Sequence, residues 1–155
     1  MGEKALGPEG TGLKMDFETF EHGADIGVRG YGKTLEEAFQ NAAKAMFSIM
    51  VEDFEGLGPL GETITVECSS MDMTGLLVAY LNTLLAEADI HRVIFKEFTC
   101  SIDKDQVSLK GTARGAPFPR DGEGLGIEVK GATFTMATVE KDSSGLYTAQ
   151  CVVDV

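Results

Sequence analysis

The residues of this sequence best suited to chemistry stand at its two ends. Near the start runs Glu21-His22-Gly23-Ala24-Asp25, and the last two residues are Asp154-Val155. An aspartate in a glycine-rich turn ordinarily caps that turn with its own side chain, and a final carboxylate ordinarily sits in water. Here, however, the sequence still carries a strand pattern from Gln150 to Val155. A strand anchored to its last residue would hold the main-chain carboxylate of Val155 at a fixed point. Asp154 would then face away from Val153, a core candidate. If Asp25 lies beside them, three anionic oxygen groups converge, a donor set for a hard cation such as Ca²⁺, Mg²⁺ or Mn²⁺. Without a cation, mutual repulsion would push at least one carboxyl pKa upward.

Other chemistries find less support. Gly27-Val28-Arg29-Gly30-Tyr31-Gly32-Lys33-Thr34 fits the phosphate-loop pattern G-x-x-x-x-G-K-T letter for letter, and Cys151-Val152-Val153-Asp154 resembles a partner strand for it. A phosphate loop must follow a buried strand, yet the preceding residues are polar and glycine-rich. Such nucleotidases also need a parallel sheet covered by helices on both faces, more helices than this sequence offers. Thr34 as a helix N-cap would occupy an amide that phosphate needs, and Glu36 and Glu37 would repel the triphosphate. The pattern therefore predicts a strand, a glycine turn and a capped helix. Gly122-Glu123-Gly124-Leu125-Gly126 lacks the following helix of a dinucleotide site. There are two histidines and no Gly-x-Ser-x-Gly, which argues against a nucleophile-type hydrolase; His91 reads as a solvated loop residue. Cys68, Cys100 and Cys151 are odd in number and far apart, without a Cys-x-x-Cys pair. They predict buried thiols and an intracellular, cytoplasmic location rather than a disulfide framework.

The elements that must position these residues follow from periodicity. Thr34-Leu35-Glu36-Glu37 is a capping box, in which Thr34 accepts from the Glu37 amide and the Glu37 carboxylate reaches back to Thr34. Leu35, Ala38, Phe39, Ala42, Ala43, Met46, Phe47 and Met50 then fall on one helical face. A second helix opens near Asp72 and runs to about Ala88, with Leu77, Tyr80, Leu81, Leu84 and Leu85 in its stripe. Elsewhere the period is two: Ile64, Val66, Cys68; Phe98, Cys100, Ile102; Val107, Leu109. Ile127, Val129, Phe134 and Met136 predict one long strand with Gly131 as a bulge. Residues 146–155 predict a closing strand, paired to its predecessor through the turn at 141–145. The glycine- and proline-rich stretches 52–61 and 116–126 read as loops. Helices confined to the first half, followed by hairpins, give an α+β fold. It is a single domain with two helices on a mainly antiparallel or mixed β-sheet, in the order β-β-α-β-α and then a strand meander.

A chain of 155 residues with 43% hydrophobic residues can bury a core without disulfides or a structural metal. Residues 1–14 have no apolar stretch of a signal peptide and read as a flexible leader, leaving 15–155 as the domain. No run of about 18 apolar residues spans a membrane. Asp plus Glu number 25 against 13 Lys plus Arg, a formal charge of −12. That field repels nucleic-acid phosphates, and 3 Tyr with no Trp leave little to stack on bases. Direct nucleic-acid binding is not expected; a basic protein surface or a cation fits better.

At these residues the sequence resembles the archease family. Residues 20–39, running from Phe20-Glu21-His22 through Asp25 to the Thr34-Leu35-Glu36-Glu37-Ala38-Phe39 helix start, match its N-terminal signature. Leu76-Leu77-Val78-Ala79-Tyr80-Leu81-Asn82, then Gly126-Ile127-Glu128-Val129-Lys130 and the terminal Val153-Asp154-Val155, complete the likeness over residues 16–155. The family usually has Thr at Gly23, Ala at Gly30 and Trp at Tyr80, and its frequent Tyr-His pair is Phe134-Thr135 here. The resemblance implies a compact α+β fold and an accessory, non-catalytic role. Archeases activate the RtcB-type RNA ligase of tRNA splicing by promoting guanylylation of its active-site histidine. By position, Asp25, Asp154 and the Val155 carboxylate would hold a divalent metal, calcium first and magnesium or manganese as alternatives. Lys130 matches a functional lysine of the family, and His22 stands beside the set. A general chaperone or protein-interaction module, and a nucleotidase acting alone, are the rival expectations.

Overall fold

The computed structural model describes residues 16–155; the expected leader at 1–14 lies outside the described residues. Strand β1 (Phe17–His22) turns at Gly23, whose φ of 60° suits glycine, into β2 (Asp25–Gly32). Helix α1 (Leu35–Ser48) follows, then β3 (Ile64–Ser69), helix α2 (Met73–His91), β4 (Val93–Asp103) and β5 (Ser108–Pro117). The chain ends with β6 (Gly131–Ala132), β7 (Thr138–Lys141) and β8 (Tyr147–Asp154). All pairings are antiparallel, and they form two sheets. One runs β1-β2-β8-β6, with β7 also on β8; the other runs β3-β5-β4. The α+β class and the element order hold, but β8 does not extend a meander: it inserts beside β2, joining the two ends of the sequence.

The capping residues act as their chemistry predicts. Thr34 Oγ1 accepts the Glu37 amide at 3.1 Å, while the Glu37 carboxylate reaches one residue further than expected, taking the Lys33 amide at 2.6 Å. Asp72 caps α2 through the Gly75 amide at 2.7 Å. This helix runs three residues beyond the expected Ala88, so His91 lies in its last turn rather than in a loop, 3.4 Å from Glu87. Arg92 ends the helix in the left-handed conformation, φ 58°. The glycines of the apparent phosphate loop lie in β2, where residues 28, 30 and 32 face α1. A Cβ at Gly30 would strike the backbone of Ala38 and Ala42, so glycine lets helix and sheet touch.

The expected long strand at 127–136 is not formed. Only Gly131–Ala132 pairs with β8, and the chain then turns at 134–137, with the Ala137 amide on the Phe134 carbonyl and Met136 at φ 52°. Phe134 and Met136 consequently stand 66% and 48% exposed rather than in the core. Alternation records which residues could share a face; it cannot record that β8 has room for two short partners in place of one long one.

The core gathers around α1, which packs on β2 and β8 on one side and along β4 on the other. Polar side chains of α1 finish the exposed rim of β4: Gln40 accepts the Cys100 amide at 2.9 Å and Glu36 the Ile102 amide at 3.2 Å. Those contacts deny that strand edge to other chains. Of the three thiols only Cys151 is fully buried; Cys68 and Cys100 are half-buried. Burial, aided by the Glu36 charge, pushes Cys100 up to about 12, and burial pushes Cys151 up to about 12, so both stay protonated and inert.

Tyr80 is 1% exposed and its hydroxyl has no hydrogen-bond partner among the described residues. Burial first, then the neighbouring Cys100 and Cys68, hold the phenol well above its ordinary pKa. An unsatisfied buried hydroxyl costs about 1–3 kcal/mol. Tyr80→Phe, normally a neutral or harmful change in a core, should therefore raise the urea midpoint, by about 1 kcal/mol of stability. A lowered midpoint would mean the hydroxyl is satisfied by buried water.

Candidate functional site

The antiparallel register brings the expected site residues to one end of the larger sheet. His22 lies opposite Asp25 in the β1–β2 ladder. Ile26 lies opposite Val153 in the β2–β8 ladder, and one further step puts Asp25 opposite Asp154. Asp154 in turn lies opposite Gly131 of β6. The Val155 amide donates to Asp25 Oδ1 at 3.2 Å, across 130 positions of sequence. Lys130 donates its amide to the Asp154 carbonyl at 2.8 Å. His22, Asp25, Asp154, Val155 and Lys130 thus share one sheet end, with Asp25 and Val155 half-buried and the other three exposed.

Two carboxylates directly opposite each other in a ladder repel, because facing side chains are only about 5 Å apart. Among the described residues neither takes part in an ion pair: the pairs are Arg29 with Glu18, His91 with Glu87 and Arg114 with Glu97. One Asp25 oxygen has a bond among the described residues, from the Val155 amide. Among the described residues no group of three or more His, Cys, Asp or Glu side chains is placed to hold a metal. What the register brings to this end is two side-chain carboxylates and main-chain oxygen. Such an all-oxygen set, with coordination positions left for water, suits a hard cation rather than a soft one.

A groove of about 800 Å³ begins at Lys130 and runs between the second half of α2 and residues 125–130. Its roof is fastened by Asn82 of α2, whose side chain takes the Ala132 amide at 2.9 Å and gives to the Ala132 carbonyl at 3.1 Å. Sequence reasoning counted this stretch of α2 as core stripe and missed the groove. The single asparagine among the leucines was its one visible trace. Among the described residues no helix is long and apolar enough to cross a membrane.

The fold is a small α+β domain in which residues from both ends of the sequence meet at one acidic sheet end. The comparisons with known proteins agree with this fold class. The model of the archease protein family (MTH1598/TM1083) matches residues 17–155. Protein archease of Pyrococcus furiosus is 37% identical over 141 residues, covering 90% of this chain and 98% of the relative. Protein archease of Sulfurisphaera tokodaii is 35% identical over 139 residues, with the same coverage. The solution structure of Methanobacterium thermoautotrophicum protein 1598 superposes with a TM-score of 0.78 at 36% identity, covering 90% of this chain and 99% of that one. The chain belongs to the archease family. Its relatives carry the name of a protein rather than of an enzyme.

Proposed function

We propose that this chain is an accessory protein of the cytoplasm that activates an RtcB-type RNA ligase in tRNA splicing, using a divalent cation held by Asp25, Asp154 and the main-chain carboxylate of Val155. The observation that carries the reading is the Val155 amide on Asp25, which sets the last residues of β8 against the first of β2. That bond and the ladder hold Asp25, and in this reading its second oxygen is the one that meets the cation. Asp154 is fixed through its carbonyl, which receives the Lys130 amide. Lys130 is exposed beside the pair, and in this reading it meets phosphate or a carboxylate of the ligase; His22 flanks Asp25 on the other side.

When bound, a hard cation supplies charge stabilisation to a phosphoryl group under attack, the main term in nucleotidyl transfer. The chain's own residues do the rest: they hold the carboxylates together against their repulsion and present them at an exposed sheet end. A net charge of −12 steers such an end toward a basic protein mouth rather than toward RNA itself.

The test is transfer of labelled GTP onto the ligase, with and without this protein. Stimulation is expected with the wild type and is expected to vanish with Asp154→Ala, which leaves the ladder's backbone intact. Equal stimulation by Asp154→Ala would refute the cation reading. Protection of unrelated proteins from aggregation, indifferent to chelation, would instead favour a general chaperone.

A further inference from the structure

β1 is the outer strand of the larger sheet, and one side of it has no neighbouring strand. The Tyr31 amide on the Asp16 carbonyl, at 2.9 Å, marks Asp16 and Tyr31 as a hydrogen-bonded pair. The register then runs without a shift from Phe17 opposite Gly30 to His22 opposite Asp25. In an antiparallel ladder bonded pairs recur at every second residue, so Glu18, Phe20 and His22 bond to β2. Phe17, Thr19 and Glu21 turn their amides and carbonyls the other way, where no described residue meets them. These donors and acceptors stand in a row along a strand of about 20 Å. Exposed edges are ordinarily blunted by a bulge, a proline, a lysine or a covering group. β4 has its cover in Gln40 and Glu36. β1 has no bulge, no proline and no lysine.

The surroundings of this edge carry one sign of charge. From Asp16 to Val28 the acidic residues are Asp16, Glu18, Glu21 and Asp25, and there is no Lys or Arg. Phe17 packs edge-on against Phe54, with ring centroids 6.3 Å apart, which brings the loop of Glu52, Asp53 and Glu55 against the same strand. No Lys or Arg occurs from Ala45 to His91 either. The cations that reach these segments are engaged: Arg29 with Glu18 at 2.6 Å, and Lys96 with the carbonyls of Glu55 and Leu57 at 2.6 and 3.2 Å. Thr19 and Glu21 stand opposite Val28 and Ile26, on the face that α1 packs against, yet both are exposed because α1 lies chiefly under β2 and β8. A second copy of this chain would bring the same carboxylates and a charge of −12 to the contact, which disfavours it as the occupant.

We propose that β1 accepts an extended basic segment of a partner protein as an added antiparallel strand. Main-chain pairing with Phe17, Thr19 and Glu21 supplies the register. The residues so paired share the face of Glu21, and lysine or arginine there meets Glu21 and the carboxylates of 52–55. The inference goes beyond the cation reading and does not depend on it.

The probe is an acetylated, amidated heptapeptide of alternating lysine and valine, titrated into the full chain while backbone amide resonances are followed. The amides of Phe17, Thr19 and Glu21 are expected to shift most, and to shift less as salt is raised. N-Methylation of the lysine amides should abolish binding and that of the valine amides should leave it, because the lysine amides are the ones that face β1. Thr19→Pro removes an outward amide that β2 does not use, and should also abolish binding. Glu21→Lys should weaken it about fivefold. Asp154→Ala, which is expected to end ligase stimulation, should bind the peptide as wild type does. The proposal is overturned by no shift up to the peptide's solubility, by an equal response to a glutamate–valine heptapeptide, or by indifference to which amides are methylated. Shifts as large on β3, the outer strand of the smaller sheet, would overturn it too. So would shifts of the same β1 amides with protein concentration alone, or contacts of Thr19 with residues 1–14, which would give the edge to a second copy or to the chain itself.

Discussion

Asp25→Asn should leave the last residues of β8 docked and still lose ligase stimulation, whereas Asp25→Ala should lose both. Asparagine keeps an oxygen where Oδ1 accepts the Val155 amide at 3.2 Å, so the joint between β2 and the end of β8 survives. It discards the charge, and with it the attraction for a divalent cation. Losing one of only two carboxylate side chains should weaken calcium binding by more than about 100-fold, beyond the usual effect of removing an outer-shell group. Alanine also strands the Val155 amide, worth about 1.5–3 kcal/mol for a bond to a charged acceptor, and hydrogen exchange at residues 154–155 should quicken. A third measurement separates charge from scaffold. In chelator, Asp25→Asn should be more stable than wild type by about 0.2–1 kcal/mol, because two like charges facing across a ladder are relieved. With calcium added, the wild type should gain stability by mass action and the variant should not. Equal calcium-dependent stabilisation of both proteins would contradict the role given to Asp25.

How much of this was legible in the sequence depends on whether the governing contact is local. Both helix starts were, because Thr34 and Asp72 act on amides three residues ahead. The end of α2 was not. Nothing in Ala88-Asp89-Ile90-His91 marks a stop, and the reversal falls on Arg92, a residue that rarely adopts φ of 58°. The glycines of β2 matched a phosphate loop because a motif counts letters, whereas their purpose is the close approach of α1. The division into two sheets was hidden for a similar reason. The even spacing of β3, β4 and β5 suits one sheet or two, and the choice is made by α1, which occupies the rim of β4. At the site, Asp25 and Asp154 each looked ordinary alone. Their meeting follows from β8 pairing with β2, a contact across more than 120 residues that no periodicity encodes. The strand pattern persisting to Val155 was the local hint, and the resemblance to archeases supplied what the hint could not.

Phe47→Ala should be the most damaging single truncation in the core, at about 3–5 kcal/mol. Phe47 is fully buried on α1, with its ring centroid 5.6 Å from that of Phe95 and 5.7 Å from that of Phe98, both on β4. These three rings hold the smaller sheet to the helix that carries the larger one. Edge contacts between such rings add about 0.5–1.5 kcal/mol beyond the area they bury, and a cavity there cannot collapse without moving α1. For a domain of this size each kcal/mol shifts the melting temperature by about 2–4 °C, so a fall of roughly 10–15 °C is expected in calorimetry. The aromatic contacts of Phe47 lie with β4, not with the β2 and β8 ends that carry Asp25 and Asp154. The folded fraction of Phe47→Ala should therefore bind calcium nearly as wild type does. Calcium affinity lost in step with stability would mean that the sheet end is held in shape by the rings of the opposite sheet, and that α1 carries the coupling between them.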